Sequence, residues 1–562
     1  MINTTRGDRL WLWAALIMTA LKLWLADAQP VTAVGFARHD DALFVSLAES
    51  ILHGNWLGTY DNITLAKGSF FPCLIAAAQM VGISLFLAQH LVYAGACAAL
   101  VRATRPAIAS AAARFAIYAL LLWNPVSYDA ANFSRVLRQH VYASLGLLVF
   151  AGLVALYLRR GEKWARQLPW AALLGLSFAA FYLTREETLW ILPSMVLLGG
   201  SILFVAARAM RAQLLRSLAM LGTAACCALL PILGVCALNA HYYGWFGTVE
   251  YRDPAFCDAY GALVRVQVGP EIPNVPVSRE TREALYALSP SFAELRPHLE
   301  GDIGRNWSSC SQFLTHRPNE ERQIGGGWFM WALRDAVAAA GHGGSATAAH
   351  AYYRKLADEI NAACDSGLIP GGSRRSGFMP RWQEGQKRAA FNALGSFMVY
   401  VIRFRNFSAY APPSAGNADS LGVFWRMVGG RIAPSPEYCD PRPALPLAGA
   451  RVEALHRIGK FLRHLLFWSF VAAQAYATLR VVHAIVRRKW SYPLILAAAA
   501  WGGALANLLI LAVIHVTSFP VLALSYCSSA YPLVLVFIAA MAWDASTTWR
   551  PAANARSSVA GS

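Results

Sequence analysis

Ten apolar stretches, each long enough to cross a membrane, constrain this chain of 562 residues more than any other feature. A hydrocarbon core about 30 Å thick is crossed by a helix of roughly 20 apolar residues. The stretches lie near residues 10–28, 84–101, 107–124, 140–158, 168–183, 189–207, 217–240, 464–486, 492–515 and 526–545. Because 57% of the residues are hydrophobic and only 14% are charged, too little polar surface remains to coat a soluble core. The sequence therefore predicts an all-α polytopic membrane protein with about ten transmembrane helices.

The distribution of basic residues predicts how these helices are oriented. The connections on one side of the membrane hold 16 basic residues and only three acidic ones, Asp8, Glu162 and Asp544. The basic residues are Arg6, Arg9, Arg102, Arg105, Arg159, Arg160, Lys163, Arg166, Arg208, Arg211, Arg216, Arg487, Arg488, Lys489, Arg550 and Arg556. Short cytoplasmic loops are enriched in Lys and Arg, so both termini are expected in the cytoplasm and residues 29–83 and 241–458 outside. The net charge of +18 is spread over these short clusters, which does not indicate a nucleic-acid partner.

Two segments near the N-terminus allow a second interpretation. Residues 69–101 are almost continuously apolar and could hold one span or two. Two spans would put Arg102 and Arg105 outside, so the charge rule favours one span preceded by an interfacial helix over 69–81. The first span also resembles a cleaved signal peptide, since an apolar run leads to Ala26-Asp27-Ala28. Residue 29 onward lies outside in either case.

The spans and charges divide the chain into three parts. Residues 1–240 form an N-terminal transmembrane module with the outer loop 29–83, residues 241–458 form a mainly helical extracytoplasmic insertion, and residues 459–562 hold the C-terminal transmembrane helices. The insertion is large enough to have its own core. Helical spacing of apolar residues predicts helices at 279–288, 328–340 and 346–364, and the apolar stretch 389–402 is expected to lie on the membrane.

Four cysteines lie in the insertion, at Cys257, Cys310, Cys364 and Cys439. An exported domain is exposed to oxidising conditions, so up to two disulfides are expected among them, with three possible pairings.

The first outer loop contains an aspartate pair, Asp40-Asp41, soon after the first span. Adjacent carboxylates repel each other, and keeping both ionised favours a cation or a proton-accepting role. The following residues Leu43, Phe44, Leu47, Ala48 and Ile51 form one apolar stripe at helical spacing, which predicts a helix on the membrane surface. Either aspartate is also well placed to be simply the N-cap of that helix.

Further charged residues cluster at the same side of the membrane. Lys67 precedes an apolar, proline-containing segment and is suited to hold a lipid phosphate at headgroup level, although an interfacial lysine that only snorkels is as common. Two other outer turns contain Arg135 with Arg138, and Arg185 with Glu186 and Glu187. Ionisable groups at membrane depth usually face a bundle interior or an aqueous cavity, but Arg185 with either glutamate could also be a structural ion pair.

These residues together resemble the membrane glycosyltransferases of the GT-C fold, most closely the protein mannosyltransferase and aminoarabinose transferase branch. The resemblance is carried by the aspartate pair, Gly54-Asn55-Trp56, the segment from Lys67 to Pro72, and Ser134-Arg135. It extends to Leu183-Thr184-Arg185-Glu186 before Pro193 and to Ser525-Tyr526 with Tyr531-Pro532. Three departures stand out: Gly68-Ser69 replaces Pro-Pro, Gln139-His140 stands where an acid is frequent, and no arginine precedes Tyr526.

The resemblance implies transfer of a sugar from a polyprenyl-phosphate donor, with inversion, to a lipid, glycan or protein acceptor outside a bacterial cytoplasmic membrane. It implies that Asp40 or Asp41 is the catalytic base or a metal ligand, which leaves a divalent metal ion open as cofactor. It also implies that Lys67 binds the donor phosphate with help from Arg135, Arg138 or Arg185. Glu186, Glu187 and Tyr526 complete the expected substrate site.

Two other functions are compatible with the sequence. A transporter or lipid flippase would line a pathway with charges near mid-membrane and would show internal repeats, whereas here the charges lie at the outer rim. A non-catalytic assembly subunit would use the insertion to bind a polymer, and the loop with its paired aspartates argues against that.

Overall fold

The structure, a computed structural model, describes residues 6–315, 322–440, 442–443 and 445–548. Within these residues β-pairing is limited to five isolated bridges, and the regular structure is otherwise helical. The prediction of an all-α polytopic membrane protein is confirmed. Arg550 and Arg556, which the charge pattern places in the cytoplasm, lie outside the described residues.

The helices of the N-terminal part are α1 (Arg6–Ala26), α2 (Asp41–Leu52), α3 (Phe70–Met80), α4 (Leu85–Thr104), α5 (Ala111–Leu122), α6 (Ala130–Phe133), α7 (Gln139–Arg159), α8 (Trp164–Tyr182), α9 (Leu192–Ala209) and α10 (Arg211–Tyr243). Those of the insertion are α11 (Pro254–Arg265), α12 (Arg279–Tyr286), α13 (Pro290–Glu294), α14 (Arg296–Leu299), α15 (Asp302–Thr315), α16 (Gly326–Val337), α17 (Ala346–Asp365), α18 (Gln386–Ile402) and α19 (Ala418–Val428). The C-terminal helices are α20 (Ala448–Arg487), α21 (Tyr492–Thr517), α22 (Leu524–Cys527) and α23 (Ala530–Thr548).

Eight of the helices in the described residues are long and apolar enough to cross a membrane: α1, α4, α7, α9, α10, α20, α21 and α23. The other two predicted spans differ. α5 has only 12 residues, a rise of about 18 Å, because Pro125 follows it and starts a 3₁₀ turn. α8 has 19 residues, but its first turns carry Arg166 and Gln167. Both still pack in the bundle, α5 against α1 and α4, and α8 against α7 and α10.

The single-span interpretation of residues 69–101 is confirmed. α3 is an 11-residue helix, too short to span, and it ends where Gly82 adopts a left-handed conformation with φ of +71°. The chain then turns, and the hydroxyl of Ser84 caps α4 by accepting the backbone N–H of Leu87.

α2 lies between two hydrophobic cores. Its residues Phe44, Val45 and Ala48 belong to the core of the membrane bundle, while Leu43 and Leu47 pack into the core of the insertion. The predicted apolar stripe is therefore present. One part of it packs on the membrane bundle and the other part packs on the insertion. This position makes α2 the joint between the two cores.

The insertion is divided differently from the prediction. Residues between 249 and 369 share a core with the outer loop, including Leu57, Ile63 and Leu65. The later helices α18 and α19 contribute to the core of the membrane part, where α18 packs along α21 and α19 packs against α2 and α3. The predicted boundary at residue 458 also falls inside α20, a helix of 40 residues that begins at Ala448.

The helices predicted at 279–288, 328–340 and 346–364 are present as α12, α16 and α17. α16 begins in the triple glycine, where a Cβ atom on Gly327 would lie 2.5 Å from the ring of Phe519. Glycine is required because the start of α16 closely approaches the end of α21.

The disulfide prediction is wrong for the structure, in which all ten cysteines are unpaired. Cys257 donates a hydrogen bond to the carbonyl oxygen of Tyr251 at 3.3 Å, and Cys364 packs against Gly371. Cys310 and Cys439 are exposed. These thiols are engaged in separate local contacts, so their number alone was a poor guide to pairing.

The charge bias predicts that the insertion lies outside the membrane, and this can be tested at Gly344, an exposed turn between α16 and α17. Alkaline phosphatase inserted after Gly344 should be active, because that enzyme folds only after export, and a fluorescent protein that matures only in the cytoplasm should be dark there. The opposite pattern would show that the orientation is inverted.

Candidate active site

Asp40 stands at the N-cap position of α2, but its side chain makes no capping hydrogen bond. Its carboxylate instead contacts the ammonium group of Lys67. The capping interpretation is therefore wrong for Asp40. The side chain remains 53% exposed, whereas the side chain of Asp41 is fully buried. The two adjacent aspartates thus have different environments, and only Asp40 is open to a ligand.

Lys67 is buried beneath this contact, and its ammonium group lies 5.2 Å from the centre of the Phe44 ring and 5.6 Å from that of Trp331. Burial lowers the pKa of Lys67, although Asp40 acts against that shift. Partial loss of water around the half-exposed carboxylate would alone raise the pKa of Asp40, but the charges of Lys67, Arg135 and Arg138 outweigh it and hold that pKa below its ordinary value. Asp40 is thus a poor proton acceptor while Lys67 is paired with it.

Gly68 explains how Lys67 reaches this position. A Cβ atom on Gly68 would lie 2.0 Å from the carbonyl oxygen of Leu183. The backbone N–H of Phe70 donates to the same oxygen at 3.2 Å. The outer loop therefore touches the turn that contains Arg185, Glu186 and Glu187, which only glycine permits at this distance.

Asp41 pairs with Arg135, whose Nε lies 3.2 Å from Oδ1 of the carboxylate. The chain brings the two together because the backbone N–H of Thr32 donates to the carbonyl of Ser134 at 2.9 Å. Burial raises the pKa of Asp41 to about 6, although the hydrogen bonds from Arg135 act against it. This buried pair holds the start of α2 in place, which is a structural role.

The two arginines of the remaining turns each have a glutamate partner. Arg138 forms a two-pronged pair with Glu186, at 2.8 and 2.7 Å, and donates to the carbonyl of Thr184 at 2.7 Å. Arg185 pairs with Glu187, at 3.0 Å from its Nε. Burial would raise the pKa of Glu187, but Arg185 lowers it to about 2. The expectation that Arg185 forms an ion pair is met, and its partner is Glu187.

Tyr526 lies among these charged groups. Its hydroxyl is close enough to Arg185, Asp40, Glu187 and Arg135 for each to affect it electrostatically, and its ring meets Phe519 edge-on at 6.0 Å. The structure therefore brings all nine predicted site residues into one cluster at one end of the bundle. Their roles in a reaction stay predictions.

Several residues of this cluster escaped sequence reasoning because they come from the insertion. Trp331 of α16 covers Lys67, and the imidazole of His39 meets Trp331 and Trp307 edge-on, each at 4.8 Å between ring centres. Asp335 lies 3.6 Å from Nε2 of His39. Trp331 and Asp335 are nearly 300 residues away from Asp40, so no local pattern could have linked them.

A buried ion pair joins the insertion to the outer loop. Arg334 of α16 contacts Glu250 and donates to the carbonyl oxygen of Asn62 at 2.8 Å, and the hydroxyl of Tyr60 donates to Glu250 at 2.8 Å. The backbone N–H of Glu250 also donates to the carbonyl of Leu65 at 2.9 Å, two residues before Lys67. Burial alone would raise the pKa of Glu250, but Arg334 lowers it to about 2. This pair fixes the segment that presents Lys67.

The arrangement does not fit a metal ion shared by the two aspartates. Asp40 and Asp41 are each turned toward a different cation, Lys67 and Arg135. Across the described residues there is no group of three or more His, Cys, Asp or Glu side chains that could hold a metal ion. We therefore assign the two carboxylates to ion pairs, and the divalent metal ion that the resemblance leaves open stays a prediction.

The fold and this cluster define a polytopic membrane protein with a charged site at one end of its bundle. No family model matches the chain, and neither does any curated protein. Among solved structures, ArnT from Cupriavidus metallidurans matches 95% of this chain in its apo state, with 12% identity, 75% of that chain covered and a TM-score of 0.30. Its structure bound to undecaprenyl phosphate matches 95% of this chain with 13% identity, 76% of that chain covered and a TM-score of 0.29.

The arabinosyltransferase EmbB from Mycobacterium smegmatis, solved by single-particle cryo-EM, matches 98% of this chain and 42% of its own, with 13% identity and a TM-score of 0.28. These proteins are GT-C glycosyltransferases, the class that the sequence resembles. With TM-scores of 0.30 and below, these similarities assign no role to any residue of this chain.

The buried pair predicts a specific loss of stability. Glu250→Gln should lower the free energy of unfolding by about 3–5 kcal/mol, because it leaves the charge of Arg334 buried without a partner. Thermal unfolding of the purified protein in detergent would measure it, with Asp302→Asn as matched control. Asp302 pairs with Arg305 at the surface, so its loss should cost at most about 1 kcal/mol.

The same pair predicts a direction of pH dependence. The pKa of Glu250 is depressed in the folded state, so its contribution to stability is present above about pH 4.5 and is lost as the pH falls toward 2. The difference in unfolding temperature between the wild type and Glu250→Gln should therefore shrink on acidification from pH 7 to pH 3. A constant difference would contradict the pairing.

Proposed function

We propose that this chain is a membrane glycosyltransferase that moves a sugar from a polyprenyl-phosphate donor to a hydroxyl group of an acceptor outside the membrane. The single observation that carries this proposal is the contact between Lys67 and Asp40. It joins a buried cation at the membrane boundary to the most exposed carboxylate of the cluster. A phosphate-leaving transfer needs both groups, a cation for the departing phosphate and a base for the attacking hydroxyl.

The geometry suggests how donor binding activates the base. A donor phosphate that reaches Lys67 competes with Asp40 for its ammonium group. Once Lys67 turns to the phosphate, Asp40 loses the charge that contributes most to its lowered pKa and becomes a better proton acceptor. The site would then hold an active base only when a donor is present.

The proposed reaction follows from these two groups. The acceptor oxygen bonds to the anomeric carbon of the sugar while the bond from that carbon to the phosphate oxygen breaks. The electron pair of the broken bond leaves with the phosphate, whose charge Lys67 stabilises, and the proton of the acceptor hydroxyl passes to Asp40. Inversion at the sugar is an expectation from the family resemblance.

The remaining ion pairs are suited to shape the site. Arg138 and Arg185 are each neutralised by a glutamate, so they contribute hydrogen bonds and rigidity rather than free positive charge. Arg252 fastens the turn that carries Arg185 by donating to the carbonyl oxygen of Arg185 at 2.8 Å. We assign Arg138, Arg185 and their glutamates to positioning the donor and acceptor around Lys67.

A transporter or flippase is the second candidate, because the bundle contains a buried lysine, Lys22, and two buried histidines, His90 and His140. Lys22 lies four residues from the outer end of α1, His90 five residues from the start of α4, and His140 at the second residue of α7. At 1.5 Å per residue these positions are within about 8 Å of the helix ends, and none is near mid-membrane. Sugar transfer by purified protein in detergent, where no second compartment exists, would decide for the enzyme.

The roles of the two aspartates can be separated by one matched pair of variants. Asp40→Asn should reduce sugar transfer by about a hundredfold or more and leave the unfolding temperature nearly unchanged, because it removes the base but keeps an oxygen for Lys67. Asp41→Asn should instead cost about 1–3 kcal/mol of stability, since it weakens the contact of the fully buried Asp41 carboxylate with Arg135. Full transfer activity of purified Asp40→Asn would overturn the assignment.

Lys67→Ala should weaken donor binding by about tenfold to over a hundredfold, because one charge-assisted contact worth roughly 1.5–3 kcal/mol is lost. Binding of polyprenyl phosphate to the purified protein would measure this directly. Arg38→Ala is the matched control: Arg38 is a cation of the same loop in an exposed pair with Asp61, so its removal should leave donor affinity within about twofold. Equal effects of the two variants would refute a phosphate contact at Lys67.

A further inference from the structure

A second recess lies at the opposite end of the bundle from the candidate active site. It is a cleft of about 850 Å3 at the end that carries the basic clusters, and no residue of the cluster around Lys67 lines it. α7 connects the two ends, running over 21 residues from Gln139 beside the site to Arg159 beside the cleft, a rise of about 31 Å. The lining that concerns the argument is Arg160, Gln213, Trp490, Ser491, Tyr492 and Trp543.

Arg160 is the cation of this cleft, and neutral groups hold it. Its guanidinium donates to the carbonyl oxygen of Tyr157 at 2.6 Å and to the hydroxyl of Tyr492 at 3.1 Å. It also lies over both rings, 5.0 Å from the centre of Tyr157 and 5.3 Å from that of Tyr492. These contacts fix the orientation of the guanidinium group. Among the described residues no carboxylate pairs with Arg160, so its positive charge is not compensated.

The nearby acids are already occupied. Glu162 pairs with Arg166 at 3.7 Å, and the buried Asp544 accepts hydrogen bonds from Arg480 and from Ser491, both at 2.5 Å. Arg159, the neighbour of Arg160, likewise donates to backbone carbonyl oxygens, those of Ala103 and Arg102. The cleft therefore has a net positive field with no acid of its own to satisfy it.

The rest of the lining is typical of the boundary between hydrocarbon and water. Trp490 and Tyr492 are exposed, and Trp543 completes the aromatic wall. Indole and phenol groups are enriched at the headgroup level of membranes, and basic pockets between transmembrane helices bind anionic lipid headgroups. Gln213 and Ser491 add hydrogen-bonding groups.

We propose that this cleft binds the headgroup of an anionic phospholipid, with its phosphate on Arg160. Arg160 attracts an anionic group, and the aromatic residues beside it are typical of the headgroup level of a membrane. Charge complementarity therefore selects the lipid. The site is independent of the proposed transfer reaction.

The test compares two lipids on the full-length protein. Purified wild type is equilibrated with phosphatidylglycerol or with phosphatidylcholine at equal concentration, and native mass spectrometry counts the retained lipid. The wild type should prefer phosphatidylglycerol, and Arg160→Gln should lower its affinity for that lipid roughly fivefold or more. Arg166→Gln is the matched control, because Arg166 lies in the same connection but is exposed and does not line the cleft.

Each alternative result would overturn the proposal. Equal retention of the two lipids by the wild type would exclude recognition of an anionic headgroup. An equal loss in Arg160→Gln and Arg166→Gln would show general surface charge instead of a site. Displacement of phosphatidylglycerol by inorganic phosphate at constant ionic strength would indicate a site for free phosphate instead of a lipid.

Discussion

The buried pair of Arg334 and Glu250 is the interaction on which the candidate site depends. It ties the insertion to the outer loop through Tyr60, Asn62 and Leu65, and so determines where Lys67 emerges. Two charges removed from water are costly unless they are paired and hydrogen-bonded. Loss of either partner would therefore leave an uncompensated buried charge and destabilise the fold. A loop that would otherwise be free at the membrane surface becomes a fixed part of the insertion core. The insertion therefore acts as the support of the site.

The charges of the cluster follow the same logic. Four acids and four cations lie together in four pairs: Asp41 with Arg135, Glu186 with Arg138, Glu187 with Arg185, and Asp40 with Lys67. The pair of Asp40 and Lys67 joins a buried cation to the most exposed carboxylate of the cluster, at 53%, and Glu187 beside Arg185 follows at 40%. A ligand phosphate can replace Asp40 as the partner of Lys67, because the Asp40 carboxylate already reaches solvent and need not be extracted from a buried position. Asp40 is thus the carboxylate of the cluster most open to a ligand.

Sequence reasoning reached the membrane part and the residues of the site, but not their pairing. Helix length, apolar periodicity and the positions of Gly82 and Pro125 are local properties, and they account for the spans and for the interfacial helix α3. The ion pairs are not a local property of this kind. Glu186 and Glu187 both follow Arg185 in the sequence, and only the conformation of the turn shows that Glu187 is its partner. The contributions of Trp331, Asp335 and Arg334 depend on the folding of α16 against a loop nearly 300 residues earlier. The sequence also did not show that the last helices of the insertion join the membrane part. The apolar residues of α18 suit a membrane surface, but they pack on α21, which is distant in the sequence.

Gly68 restricts how two distant segments of the chain can vary in sequence. The carbonyl oxygen of Leu183 lies where a side chain at position 68 would begin, so no other residue fits while the two segments keep their contact. A side chain at position 68 would therefore require the loop to separate from the later turn. Such a change cannot occur at one position alone, because the turn that carries Arg185 must move with it. A substitution at position 68 is therefore compatible with this fold only when the distant segment around Leu183 changes as well.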